Sequence, residues 1–181
     1  DDPVLSAAAD YHYLRARVVQ RTAYRQYNYS TIDKGRNQGV SRDMAVIAPG
    51  GVAGIVLESS SNFSTIIPVI NRDFRLSAKI SKNQYTGIIE WSGDSPEYAD
   101  LNEIPYHVEL EKGDTIVTSG YSAIFPEGLF LGTIESFLLD EGNFYEIKVR
   151  LGANFLNLNH VNVIRSFHRD EQVELQNQQV R

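Results

Sequence analysis

The residues best suited to making or breaking bonds cluster in one stretch: His107, Asp114, Ser119 and Ser122 supply a base, a carboxylate and two hydroxyls close together in the chain. Such a set invites an acyl-transfer triad. The local patterns oppose one. Gly120-Tyr121-Ser122-Ala123-Ile124 lacks the second glycine of a nucleophile elbow, and no glycines flank Thr118-Ser119-Gly120 to build an oxyanion hole. No catalytic residue is assigned, and the chain is read as no enzyme. His12, His107, His160 and His168 are dispersed, without the short spacing of paired metal ligands. Asp94, Glu97 and Asp100 do not match a calcium-binding loop. The absence of cysteine excludes thiolate zinc sites, disulfides and thiol nucleophiles. Neither a metal nor a cofactor is expected. Pro49-Gly50-Gly51-Val52-Ala53-Gly54 resembles a phosphate cradle in composition only, because Ile55-Val56-Leu57 continues it as a β run where a phosphate loop needs a helix.

The aromatic residues carry more information. Tyr24, Tyr27 and Tyr29 are interleaved with Arg21 and Arg25, a mixture that suits core packing, a protein interface or a stacked nucleic acid or sugar. A net charge of −6 opposes general nucleic-acid binding. If 27–32 is a strand, Tyr27 and Tyr29 share one face.

The elements that must position these groups are strands. Leu14, Ala16 and Val18 alternate with Arg15 and Arg17, and short β runs follow at 45–48, 51–57, 64–70, 76–81, 87–91, 115–118, 129–137, 144–151 and 160–164. Turn chemistry separates them at Asp33-Lys34-Gly35, Ser92-Gly93-Asp94, Lys112-Gly113-Asp114, Pro126-Glu127-Gly128 and Glu141-Gly142-Asn143. No long helical period stands between strands, so the fold class is all-β, built as small antiparallel barrels. A faint repeat supports two of them: an offset of 78 carries Lys34-Gly35 onto Lys112-Gly113, Ala45 onto Ala123, Gly54 onto Gly132 and Val56 onto Ile134. Gly35, Gly51, Gly54, Gly113, Gly120, Gly128 and Gly132 are expected to serve turns and close backbone approaches. The predicted organisation is a helical stub over 1–13, a first barrel over 14–72 that could also take the C-terminal strand, a second barrel over 73–166, and a polar, disordered tail over 167–181. No apolar run approaches the length of a membrane-crossing helix. The opening Asp1-Asp2-Pro3, without initiator Met or signal segment, reads as the start of a piece cut from a longer protein.

Two segments together resemble a known family. Thr31-Ile32-Asp33-Lys34-Gly35, Gly39-Val40, Met44-Ala45-Val46 and Gly51-Val52-Ala53-Gly54-Ile55-Val56 are similar to the first half of the extracytoplasmic region of the MreC family of bacterial rod shape-determining proteins. Gly113-Asp114-Thr115-Ile116-Val117-Thr118-Ser119-Gly120, Phe125-Pro126-Glu127-Gly128 and Gly132-Thr133-Ile134 resemble its second half. The resemblance implies two six-stranded barrels outside the cytoplasmic membrane, anchored by an N-terminal helix that this chain lacks. It also implies a non-enzymatic scaffold that self-associates and organises peptidoglycan elongation. The implied partners are further copies of itself, MreD, and the elongation-specific penicillin-binding transpeptidase with its glycosyltransferase. Contacts are expected through open strand edges, through Tyr24 and Tyr27, and through a groove between the barrels lined by Tyr121, Phe125 and Phe130. The alternatives are a double-barrel hydrolase and a peptidoglycan-binding module in which Trp91 and the tyrosines stack on sugar rings.

Overall fold

The computed structural model describes residues 11–122, 124–166 and 169–179. Strands β1 (Tyr11–Arg21), β2 (Ser30–Ile32), β3 (Ala45–Ala48), β4 (Gly51–Ser59), β5 (Ser64–Pro68) and β12 (His160–Ser166) close one antiparallel barrel in the cyclic order β1-β12-β3-β4-β5-β2. Strands β6 (Arg75–Ile80), β7 (Thr86–Glu90), β8 (Tyr98–Pro105), β9 (Thr115–Thr118), β10 (Phe130–Leu139) and β11 (Phe144–Leu151) close the second, in the order β10-β11-β8-β7-β6-β9. The expected pair of six-stranded barrels is therefore present. The alternation read from the sequence fills their interiors: Ile32, Val56 and Ile66 are buried in the first, and Ile89, Leu101, Ile134 and Ile147 in the second. At this strand number the interior is narrow enough for side chains alone to fill it.

Several expectations are corrected. Residues 1–10 of the helical stub lie outside the described residues, and Tyr11 to Tyr13 already belong to β1, pairing with Ser166, Arg165 and Ile164. Within 167–181, residues 169–178 form a helix, α1 (Arg169–Gln178), not a disordered tail. Strand β12 lies between β1 and β3, so the first barrel does take the C-terminal strand, as one of the expected arrangements had it, and the second barrel ends at Leu151 rather than at residue 166. Each described strand has two neighbours, which leaves no open edge for a second chain to extend.

The two barrels share one topology. Substituting β7, β8, β9, β10, β11 and β6 for β1, β2, β3, β4, β5 and β12 turns the first cyclic order into the second. They differ by a circular permutation: the sixth strand comes from the end of the described strands in one barrel and opens the other. The sequence offset of 78 is real at Gly54 and Gly132, which sit on the equivalent strands β4 and β10. Gly54 is flanked by Val46 and Pro68, and Gly132 by Ile116 and Leu151. It fails at Lys34-Gly35. Gly35 is extended before a short 3-10 turn over Arg36–Gln38, whereas Gly113 has φ +92° in the turn before β9. Ala123 lies outside the described residues.

A carboxylate ties the first barrel's bulge. Asp33 Oδ1 accepts the Arg17 N–H at 2.8 Å, beside the register shift between Val18 and Gln20. That hydrogen bond, aided by Lys34, holds the Asp33 carboxyl below its usual pKa against the opposing effect of burial. A lowered folded pKa gives stability that is present above the unfolded value of about 3.9 and is lost as pH falls through the folded one. In urea melts, the wild type is expected to lose below about pH 4 an advantage over Asp33→Asn that it holds at pH 7. The effect should stay under about 1 kcal/mol because Asp33 is only partly buried and solvent screens its charged neighbours Arg17 and Lys34. A pH-independent difference would contradict this.

Candidate interaction site at the junction of the barrels

The chain crosses between barrels twice, through residues 69–74 and 152–159; the β1–β2 loop, residues 22–29, is fastened to the first, and Arg21 at its root to the second. Two asparagines do most of the fastening. Asn28, fully buried, donates from Nδ2 to the carbonyls of Arg25 at 2.8 Å and Ile70 at 2.7 Å. Its Oδ1 accepts Thr22 Oγ1 at 2.9 Å and the Arg25 N–H at 3.0 Å. Asn71, equally buried, answers by donating to the Asn28 carbonyl at 2.7 Å and accepting the Asp73 N–H at 2.8 Å. Every polar atom of the Asn28 amide group is thus paired, which is what makes its burial tolerable. On the other side, Arg21 donates to the carbonyls of Leu156 and Leu158, each at 2.9 Å. Gln26 donates to the Gly93 carbonyl at 3.3 Å, joining the loop to the second barrel.

This loop presents the aromatics. Tyr24 is 83% exposed, and Tyr27 and Tyr29 are exposed beside it. The predicted strand over 27–32 is only Ser30–Ile32; Tyr27 instead makes an isolated bridge to Asn71. Arg21, Tyr24 and Arg25 line a cleft of about 350 Å³ with Phe155 and Leu156, and those last two residues also line a neighbouring cleft of about 240 Å³ that includes Glu97 and Arg150. The two clefts form a groove along the second crossing, with Leu156 partly exposed between them.

The barrels meet by backbone contact below this groove. A Cβ on Gly152 would collide with the Gly50 carbonyl oxygen and the Phe130 ring, and one on Gly51 would reach the Phe130 carbonyl at 3.0 Å. Phe130 is half-buried there, whereas Phe125 is 5% exposed and belongs to the core, which removes it from any partner surface. Trp91 is buried as well, its indole N–H held by the Ser95 carbonyl at 2.8 Å, so its ring face is closed to a sugar. Tyr121 lies apart from the groove, 75% exposed on the β9–β10 loop. That loop is pinned by Thr118, which donates to the Pro126 carbonyl and accepts the Leu129 N–H at 2.9 Å, and by the buried Lys79 paired with Glu127. Of the anticipated turn glycines, Gly113, Gly120 and Gly128 adopt positive φ; Gly35, Gly51, Gly54 and Gly132 sit where another backbone presses close.

The hydroxyls and the base of the suspected triad are engaged separately. Ser119 Oγ donates to Ser77 Oγ at 2.7 Å, Ser122 Oγ accepts the Ile124 N–H, and Asp114 pairs with Lys82 at 2.9 Å. His107 stands against Tyr85, whose hydroxyl is 3.4 Å from Nε2. The structure brings none of these together. The sequence reading missed Asn28 and Asn71, since a lone asparagine in a loop carries no mark of burial. Asn71 has one signal, its place directly after the apolar run Ile66-Ile67-Pro68-Val69-Ile70; Asn28, between two tyrosines, has none.

Two closed barrels of one permuted topology, locked across a rigid aromatic loop, define the class: a tandem β-barrel core. The chain belongs to the MreC family of cell shape-determining proteins, residues 18–165 matching the family described as "Rod shape-determining protein MreC, barrel core". The cell shape-determining protein MreC of Listeria monocytogenes is 33% identical over 166 residues, covering 90% of this chain and 56% of that protein. This chain therefore spans little more than half the length of that relative. A solved MreC structure from the same species has a TM-score of 0.78 at 33% identity, covering 92% of this chain and 79% of the other. A solved complex between penicillin-binding protein PBP2 and MreC from Helicobacter pylori has a TM-score of 0.69 at 16% identity, covering 87% of this chain and 99% of its counterpart, a likeness of fold alone. Among the described residues no helix is long and apolar enough to cross a membrane.

Proposed function

We propose that this chain is the extracytoplasmic part of a non-enzymatic scaffold that maintains cell shape by self-associating and by holding the peptidoglycan elongation machinery. The observation that carries this reading is the β1–β2 loop: an exposed tyrosine and arginine surface whose backbone is immobilised by two buried asparagines. Interface hot spots are enriched in Tyr and Arg, and a surface ordered in advance loses little entropy on docking. The named complex of a family member with a penicillin-binding protein supports the transpeptidase as one partner. Its glycosyltransferase, MreD and further copies of the chain complete the assembly, which works beside the membrane through an N-terminal anchor outside this sequence.

The test is binding to the soluble ectodomain of the elongation transpeptidase from the same organism, followed by interferometry. Tyr24→Ala combined with Tyr27→Ala is expected to weaken binding at least tenfold, on the order of 2 kcal/mol for an exposed aromatic pair at a hot spot, with an unchanged circular-dichroism spectrum. Tyr121→Ala, on the separate β9–β10 loop, reports whether the contact extends beyond the groove. Unchanged affinity in the double variant contradicts the placement of the site.

A further inference from the structure

The net charge of −6 conceals two strongly charged halves. The first barrel and its loops, residues 11–72 and 160–166, hold nine Lys and Arg against three Asp and Glu, a net of +6. The second, residues 73–159, holds six against fourteen, a net of −8. Internal pairing leaves this imbalance standing. Among the described residues five of the six second-barrel cations are committed to ion pairs with Glu90, Glu127, Asp114 and Glu135 of the same barrel, and Lys148 lies over the Tyr98 ring. Among the described residues ten of its fourteen carboxylates make no ion pair. In the first barrel Arg15, Arg25 and Arg72 are among six cations that make none.

The charges also gather on sheet faces. Arg15 and Arg17 project from β1 opposite Asn162 and His160 of β12, next to the arginine-bearing loop. On the second barrel Asp100 of β8 lies between Glu90 of β7 and Lys148 of β11, with Asp94 and Glu146 close by. Burial raises the pKa of Asp100 and the fields of Asp94 and Glu146 raise it further, as expected where carboxylates crowd.

We infer that the basic outer face of the first barrel docks on the acidic outer face of the second barrel of another copy, through charge complementarity. This rests on the self-association reading above and names its surface. With both barrels closed, strand addition is not available, whereas each copy already carries the two complementary faces in comparable strength. The contact is heterologous, basic face to acidic face, so either face remains free to take a further copy. Its formation is steered by long-range attraction and weakened by screening beyond about 10 Å at 0.1 M salt.

Sedimentation velocity on the 181-residue chain tests it. Association at about 50 mM salt should fall by roughly tenfold or more at about 500 mM. Arg15→Glu with Arg25→Glu, or Asp94→Lys with Glu146→Lys, should each weaken association at low salt by a similar factor. Glu58→Lys should strengthen it several-fold: Glu58 is exposed, makes no ion pair and is an acid on the basic barrel. A damaged fold cannot produce that gain. Association indifferent to salt and to all three variants overturns the charged contact while leaving self-association intact; a monomer at every salt concentration overturns both. A monomer that co-sediments with phosphatidylglycerol vesicles, and stops doing so in the Arg15→Glu, Arg25→Glu variant, reassigns the basic face to a lipid surface.

Discussion

Gly54→Ala is expected to lower the unfolding free energy by about 3 kcal/mol, at the upper end of what overpacking costs, and Gly132→Ala to do the same in the second barrel. At each site the new methyl group meets backbone that cannot step aside. At Gly54 it collides with the Ile67 carbonyl oxygen and comes within 2.8 Å of Pro68 Cα; at Gly132 it collides with the Arg150 carbonyl. Those carbonyls belong to β5 and β11, the strands paired to β4 and β10, so relief requires parting two strands of a closed barrel. A small closed barrel cannot part them locally without disturbing the rest of its ring. Gly39→Ala is the control. It has φ +89° but open space around the position, so only the backbone conformation is penalised, about 1 kcal/mol. Urea unfolding of the three variants decides the matter: if Gly54→Ala costs no more than Gly39→Ala, crowding is not what these positions require of glycine. If the barrels unfold separately, the two variants will move different transitions.

Asn28→Ala should cost about as much, roughly 3 kcal/mol, by another route. It removes two donors and an acceptor serving Ile70, Arg25 and Thr22, leaves the buried Ile70 carbonyl without that partner, worth about 1–3 kcal/mol, and frees the partly buried Arg25 N–H and carbonyl at a smaller cost each. Because those groups lie in the loop and the first crossing, the damage should be concentrated there. Hydrogen exchange should accelerate at the amides of Arg25, which Asn28 Oδ1 holds, and of Arg72, which the Gln26 carbonyl accepts at 3.1 Å, with the barrel strands protected. Partner binding should then fall even with Tyr24 and Tyr27 intact, because an unpinned loop must be ordered on docking. Uniform loss of protection across both barrels would show instead that Asn28 supports the whole fold. Strong protection retained at Arg25 and Arg72 would show that the loop is held by other contacts.

The barrels were legible because their cause is local. Alternation at Leu14 to Val18 and 144–151, and Gly or Asx turns between short apolar runs, specify strands whose inner face must be covered. Where alternation breaks, legibility fails. Strand β8 was missed: a register shift between Tyr145 and Ile147 of its partner and the positive φ of Glu103 interrupt the pattern that would have announced Tyr98–Pro105. The helix at 169–178 was missed for a different reason: Val173 and Leu175 are its only apolar residues, two positions apart, too few to make the apolar stripe that marks a helix in sequence.

The candidate site was legible only in part. Tyr24 and Tyr27 stand out by composition, and their exposure agrees with a surface role. Phe125 carries the same apolar signal and is core, because nothing in a phenylalanine's neighbours along the chain states which way it will face.

By itself the amino-acid order determined an all-β molecule of repeated small barrels, since periodicity and turn chemistry act over a few residues; the family entered only through the resemblance of its motifs. The tertiary structure alone decided that β12 closes the first barrel and that Asn28 and Asn71 clasp across 43 positions. Each of these depends on which distant segments become neighbours, and that is settled by cooperative burial of the two cores.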